Sequence, residues 1–251
     1  MKSTMIMASL VLAAAAGAAQ AGTVKIHNNT GVSFGSGGEF RGEVQTGWAG
    51  VTGTASDIGA GFRTFCVERN IFFTPGTTYA FQIETVARSG GGGPNPDPIS
   101  IETAYLYTKF RTMTLSGYRS DTDANRALDA GSLQLALWRL EEEFTAAQFA
   151  TKATLLAAIN DGRWSGLTDD QFNKANAFIT DATANALSFF SSNSNNVRAL
   201  NIFADNNGNG VYDAGVDGDM QSQLTLIPLP TGAALGLAGL SVLAIRRRAA
   251  R

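Results

Sequence analysis

Along the first third of the chain, apolar and polar residues alternate with a period of two. That spacing turns one side of a β-strand toward a core. In "GTVKIHNN", Val24 and Ile26 share a face, and "EFRGEVQTGWAGV" alternates more weakly. "FRTFCVERNIFF", residues 62–73, predicts a strand with Phe62, Thr64, Cys66 and Glu68 on one face and Arg63, Phe65, Val67 and Arg69 on the other. Pro75-Gly76 supplies a turn. "PGTTYAFQIETVA" then sets Tyr79, Phe81, Ile83 and Thr85 on one face, so a hairpin is expected there.

The period then changes. "RSGGGGPNPDP", residues 88–98, reads as a loop, without the GK[ST] or Rossmann spacing of a phosphate cradle. Ile101, Ala104, Tyr105 and Thr108 follow at helical spacing, with Asp97 or Ser100 as cap. Residues 123–144 make the clearest helix, with a stripe of Leu133, Leu137, Leu140 and Phe144 and a weak point at Gly131. Thr168 and Gln171 form a capping-box pattern ahead of Phe172, Ala175, Phe178 and Ile179. Strand spacing returns in "VRALNIFAD" and "SQLTLIPL". The order predicts an α+β fold: a β-sandwich or barrel with a helical subdomain inserted at about residues 98–192.

The two ends have a different character. Lys2, an apolar run from Ile6 to Ala16, and Ala19-Gln20-Ala21 before Gly22 form a secretory signal peptide over residues 1–21, with cleavage between Ala21 and Gly22. This leaves one exported domain, residues 22–226. Residues 227–251 hold Pro228 and Pro230, an uncharged Gly/Ala/Leu run from Gly232 to Ile245, and Arg246, Arg247, Arg248 and Arg251. The run is shorter than the roughly 20 residues of a full span, but with Leu224–Thr231 it can insert, leaving the arginines on the cytoplasmic side. Proline motif, short apolar helix and arginine cluster, in that order, resemble the PEP-CTERM sorting signal. Pro228-Leu229-Pro230 stands where that family has Pro-Glu-Pro. The resemblance implies an exosortase-type processing protease as partner and transient membrane insertion. It also implies a place in the cell envelope, on the outer surface or outside the cell, with anchoring until the tail is processed. "LPTG", Leu229 to Gly232, lacks one residue of the sortase motif, and sortase anchoring ranks second. A permanent C-terminal anchor gives the same compartment.

Composition narrows the rest. Hydrophobic residues are 44%, enough for a core, and charged residues are 16% with a net charge of −2. No basic patch lies inside the exported region, which argues against a nucleic-acid partner. One cysteine and one histidine exclude an intramolecular disulfide and a Cys/His zinc site. His27 stands in a polar "IHNN" run, with nothing to bring it to Cys66 as a catalytic base. Glu141, Glu142 and Glu143 leave a glycosidase-type carboxylate pair open, although a Glu run at a helix end reads as a solvated face.

The lone Cys66 therefore stands out, because exported chains usually pair their cysteines. A later helix carries "LQLALW", with Gln134, Ala136 and Trp138. "FC" on a strand and Q-x-A-aliphatic-W on a helix resemble the thioester domain of bacterial surface adhesins, over about residues 40–145. "AYLY", Ala104 to Tyr107, matches the aromatic helix of such domains. The resemblance implies that the Cys66 sulfur and the Gln134 carboxamide condense to an internal thioester that captures amines on a surface or matrix polymer. Helix geometry sets Gln134 and Trp138 on one flank, away from the leucine stripe and free to face the cysteine strand. Three readings stay open: a covalent adhesin, a non-covalent surface or matrix protein with an inert buried thiol, and a secreted hydrolase. The sequence favours a non-enzymatic role.

A second segment, "DNNGNGVYDAGVDGD", places Asp205, Asn207, Asn209 and Asp213 at positions 1, 3, 5 and 9 of a calcium loop, with Gly210 at position 6. Position 12 is Val216 instead of glutamate, so Asp217 or Asp219 has to substitute. Calcium is the one cofactor the sequence suggests. The alternative is an Asn/Gly/Asp turn between strands.

Overall fold

A computed structural model describes residues 21–47, 61–88 and 96–227. It is an α+β fold. The first alternating stretches form β1 (Ala21–Phe34) and β2 (Gly37–Thr46), an antiparallel pair. Then come β3 (Phe62–Thr64), β4 (Thr78–Glu84), β5 (Val86–Ala87) and β6 (Asp97–Pro98). After the helices the chain adds β7 (Val197–Ala204), β8 (Gly218–Asp219) and β9 (Gln223–Leu226). The main sheet runs β3-β2-β1-β4-β7-β8, and β9 also pairs with β7. β5 and β6 form a separate two-stranded ribbon.

This corrects the expected sandwich or barrel. One antiparallel sheet curls until its ends meet, but no continuous ladder joins them. The contact is a single bridge between Cys66 and Gln223, flanked by Val67 N–H to Ser222 O at 2.9 Å and Leu224 N–H to Phe65 O at 3.0 Å. The expected long strand over residues 62–73 shrinks to Phe62–Thr64 for the same reason. Beyond it the backbone leaves β2 and takes its partners from residues 222–224. The hairpin expected at Pro75-Gly76 also fails to form. The turn is there, but β3 pairs with β2 and β4 with β1, so the segment between them crosses over the β1–β2 pair.

Four helices, among the described residues, lie between Ile101 and Ser192. They are α1 (Ile101–Arg111), α2 (Asp123–Leu140), α3 (Lys152–Ile159) and α4 (Asp169–Ser192). Ser100 caps α1, accepting from Thr103 N–H at 3.1 Å, and Thr168 with Gln171 closes a capping box on α4. α2 is the central element. It packs on β1, β2 and α4, and its residues from Asp129 to Trp138 are all buried. Its predicted single stripe is therefore part of an all-round buried surface. α2 stops at Leu140, before Phe144, because Glu142 adopts a positive φ of 60°. Gly131 is required by close approach: a Cβ there would meet Phe34 Cβ at 2.9 Å. A buried ion-pair cluster clamps α2 to the sheet. Glu39 on β2 accepts from Arg126 Nε at 2.9 Å and from the Tyr118 hydroxyl at 3.1 Å, and pairs with Arg63 at 3.5 Å.

The glutamate run departs from its predicted solvated face. Glu141 and Glu143 are buried, and Glu141 Oε1 accepts from Ser100 N–H at 3.1 Å and Ser100 Oγ at 2.6 Å. Glu141 thus holds the start of α1. Residues 1–20 of the signal peptide lie outside the described residues, as do Pro228, Pro230, the Gly232–Ile245 run and Arg246, Arg247 and Arg248. Ala21 and Gly22 begin β1, paired with Gln82 and Phe81. Among the described residues, no helix is long and apolar enough to cross a membrane.

Candidate functional site

Cys66 sits where the ends of the sheet meet, and α2 brings Gln134 to it across 68 positions of sequence. Both side chains are fully buried. The Gln134 carboxamide grips the Cys66 backbone twice. Its Oε1 accepts from Cys66 N–H at 3.1 Å, and its Nε2 donates to Cys66 O at 2.8 Å. Two hydrogen bonds in a ring fix the plane of the carboxamide against the cysteine. Gly37 on β2 makes room for it: a Cβ there would lie 2.8 Å from Gln134 Cγ and 3.4 Å from Cδ. Phe65, Val67 and Trp138 are all buried, and Trp138 lies beside Gln134 against Gly37.

Tyr107 of the "AYLY" stretch braces this junction. Its hydroxyl lies 2.6 Å from Arg63 O and 2.8 Å from Leu224 O, bridging the carbonyls of β3 and β9. Arg111 Nη1 donates to that hydroxyl at 3.0 Å. The helix predicted from the sequence therefore ties β3 to β9 beside Cys66.

Two participants escaped the sequence reading. Gln223 of β9 points its Nε2 at Cys66 Sγ, 3.5 Å away, and also donates to Gln221 O at 3.2 Å. In "SQLTL" an alternating polar residue reads as solvent-facing, and no local signal marks it as buried. Glu68 is the other. Its Oε2 accepts from Ser222 N–H at 2.6 Å, and its Oε1 has no hydrogen-bond partner among the described residues. Burial raises its pKa to about 7, against the lowering effect of the Ser222 hydrogen bonds and with a further push from Glu143. Burial also raises the Cys66 thiol far above its ordinary range. The site therefore disfavours a thiolate and tolerates a neutral sulfur, either a thiol or an acylated one.

The geometry has direct chemical consequences. A backbone N–H on Gln134 Oε1 stabilises the charge that builds on that oxygen when a nucleophile adds to Cδ. Exclusion of water protects an acyl-sulfur bond from hydrolysis. No Cys–His couple forms: His27 pairs with Glu43 at 3.2 Å, and the side-chain neighbour of the Cys66 sulfur is a glutamine.

The segment from Asp205 to Asp217 forms a tight loop between β7 and β8. Asp205 accepts from Gly208 N–H at 2.7 Å and Gly210 N–H at 2.9 Å. Asp213 Oδ2 accepts from the amides of Asn207 at 2.6 Å and Asn209 at 2.7 Å. Asp217 takes the backbone N–H groups of Asn206 and Asp213, both at 2.8 Å, and Asp219 accepts from the Tyr212 hydroxyl at 2.9 Å. The four residues of the predicted calcium pattern are thus brought together. Among the described residues, however, no three acidic, cysteine or histidine side chains are placed to hold a metal.

No protein-family model matches this chain, and no curated protein or solved structure resembles it significantly.

Proposed function

We propose that this is an exported surface protein whose Cys66 and Gln134 condense to an internal thioester that captures amines. The observation that carries the reading is the double hydrogen bond between the Gln134 carboxamide and the Cys66 backbone, at a fully buried site. In the condensation the sulfur adds to Gln134 Cδ, the C–N bond breaks, and ammonia leaves with the thiol proton. In capture an amine nitrogen adds to the same carbon, the C–S bond breaks, and the amine proton passes to sulfur. The thiol is a good leaving group, which makes the acyl carbon reactive. Export, sorting through Pro228, Pro230 and the arginine cluster, processing by an exosortase-type protease and a role in adhesion complete the proposal.

A non-covalent surface or matrix protein is the second reading. The burial that suppresses the Cys66 thiolate favours it, since a neutral buried thiol is unreactive. Intact mass of the purified protein separates the two. The covalent reading expects a chain lighter by one ammonia, no reaction with thiol reagents, and addition of methylamine. Cys66→Ala and Gln134→Ala are each expected to abolish the deficit. Full mass with a titratable thiol in the unaltered chain overturns the covalent reading.

A further inference from the structure

Resting on that covalent reading, we infer that Gln223 is a catalytic residue of the thioester chemistry, its side-chain N–H holding the negative charge that gathers on the Cys66 sulfur. The strand junction places it there. Cys66 and Gln223 oppose each other across the single antiparallel bridge. The flanking bonds, Val67 N–H to Ser222 O and Leu224 N–H to Phe65 O, make this a pair without mutual backbone hydrogen bonds. In such a pair the opposed side chains share a face and stand closest. The backbone N–H and C=O of Cys66 turn away from residue 223, and the Gln134 carboxamide takes both of them. One bridge thus brings two glutamines to Cys66. Gln134 holds its backbone, and Gln223 sets Nε2 3.5 Å from its sulfur.

The surroundings fix the orientation of the Gln223 amide. The Gln221 carbonyl, 3.2 Å from Nε2, can only accept, so the amide nitrogen has to face it. The same NH2 group presents its other hydrogen to the sulfur. Oε1 lies 3.4 Å from Thr64 Oγ1. Gln223 is fully buried, so water does not compete for these contacts. In the condensation the thiol proton leaves, the sulfur electron pair bonds Gln134 Cδ, and the C–N pair departs with nitrogen, which takes up that proton as ammonia. In capture the amine pair bonds Cδ, the C–S pair returns to sulfur, and the amine proton follows it. Both steps pass through a sulfur richer in charge than the thiol or the thioester. Gln223 donates to that charge and keeps its own proton, and a donor that gains strength only at that moment speeds the step. Burial pushes the Cys66 thiol pKa up and Glu68 adds to the push, while the Gln223 hydrogen bond opposes it. The two charges that develop therefore have a donor each: Cys66 N–H for the Gln134 oxygen, Gln223 N–H for the sulfur.

Gln223→Met and Gln223→Leu remove the donor while filling the space against water, and either suffices if the other does not fold. Thr225→Ala, at a buried position on the same strand, measures what damage to β9 does by itself. The full chain is followed by intact mass, with unfolding midpoints measured for each variant. Capture rates are taken per molecule carrying the ammonia deficit, with methylamine and with the weakly basic 2,2,2-trifluoroethylamine. A weakly basic amine is itself easily expelled, so its capture depends more on how readily the sulfur departs. Loss of the Gln223 donor is expected to slow methylamine capture about tenfold or more, and trifluoroethylamine capture by a larger factor. Thr225→Ala is expected to slow both by one common factor of less than about three. A folded Gln223 variant in which no deficit forms, while Thr225→Ala forms it, supports the role in the condensation. Unchanged rates in a folded Gln223 variant, or one common factor for the two amines, overturn the role. Full mass in the unaltered chain removes the covalent reading and the role with it, whereas a deficit there with unchanged variant rates removes the role alone.

Discussion

Glu68 is a carboxyl group that folding removes from water, two residues from Cys66 and with one oxygen lacking a hydrogen-bond partner among the described residues. Burial raises its pKa from the ordinary 4.5 to about 7. Between those values the unfolded chain has released the proton and the folded chain has kept it. The folded state then binds more protons, so stability falls as pH rises through this window and levels off above it. The shift corresponds to about 3 kcal/mol at most. Glu141, also raised to about 7, acts in the same direction, so the comparison is between unaltered chain and Glu68→Gln. The amide keeps an acceptor for Ser222 N–H and cannot ionise. Urea unfolding is expected to find the variant more stable at pH 8, with the gain vanishing near pH 4. Parallel stability curves across that range would contradict the buried, titrating Glu68.

At the scale of elements, the meeting of β3 and β9 decides what the site can do. A single bridge at Cys66–Gln223 holds it, with Tyr107 spanning both strands. Tyr107→Phe removes a buried hydroxyl that bridges Arg63 O and Leu224 O; Arg111 Nη1 still reaches Arg63 O and Thr64 Oγ1 still reaches Leu224 O, so the cost is about 1 kcal/mol. Amide hydrogen exchange is expected to speed up at Val67 and Leu224 more than in the β1–β2 ladder. Uniform loss of protection would mean that Tyr107 supports the whole fold instead. This junction also marks the limit of what could be read from sequence. The period-two alternation located β1, whose Val24 and Ile26 are buried on one face, while β4 and β7 were found by their apolar content, since Tyr79–Phe81 and Ala199–Phe203 are buried on both faces. The alternation overran beyond Thr64, because the backbone partners of residues 65–67 lie far along the chain at residues 222–224 and leave no local pattern. The spacing of Gln134 and Trp138 one turn apart did place the carboxamide toward the cysteine. Gln223 was illegible, because a polar residue in an alternating stretch looks the same whether water or a buried sulfur lies opposite; Glu68 was placed on the face of Cys66, but nothing local marked it as buried.

For the whole molecule, the proposed thioester is a cross-link that a disulfide-free chain otherwise lacks. It joins the sheet junction to the central helix and closes a loop of 68 residues. Closing a loop of that size removes conformational freedom from the unfolded chain, worth about 4 kcal/mol in the chain-entropy account of disulfides. Capture of an amine cuts the cross-link, because Gln134 stays joined to the amine and Cys66 becomes a free thiol. The adhesin reading thus couples attachment to a loss of stability. Denaturant unfolding at constant temperature, before and after methylamine treatment, is expected to show the treated chain less stable by about that amount. Treatment should leave Cys66→Ala unchanged. An equal loss in that variant would show that methylamine acts elsewhere, and no loss in the unaltered chain would mean that residues 66 and 134 carry no covalent constraint.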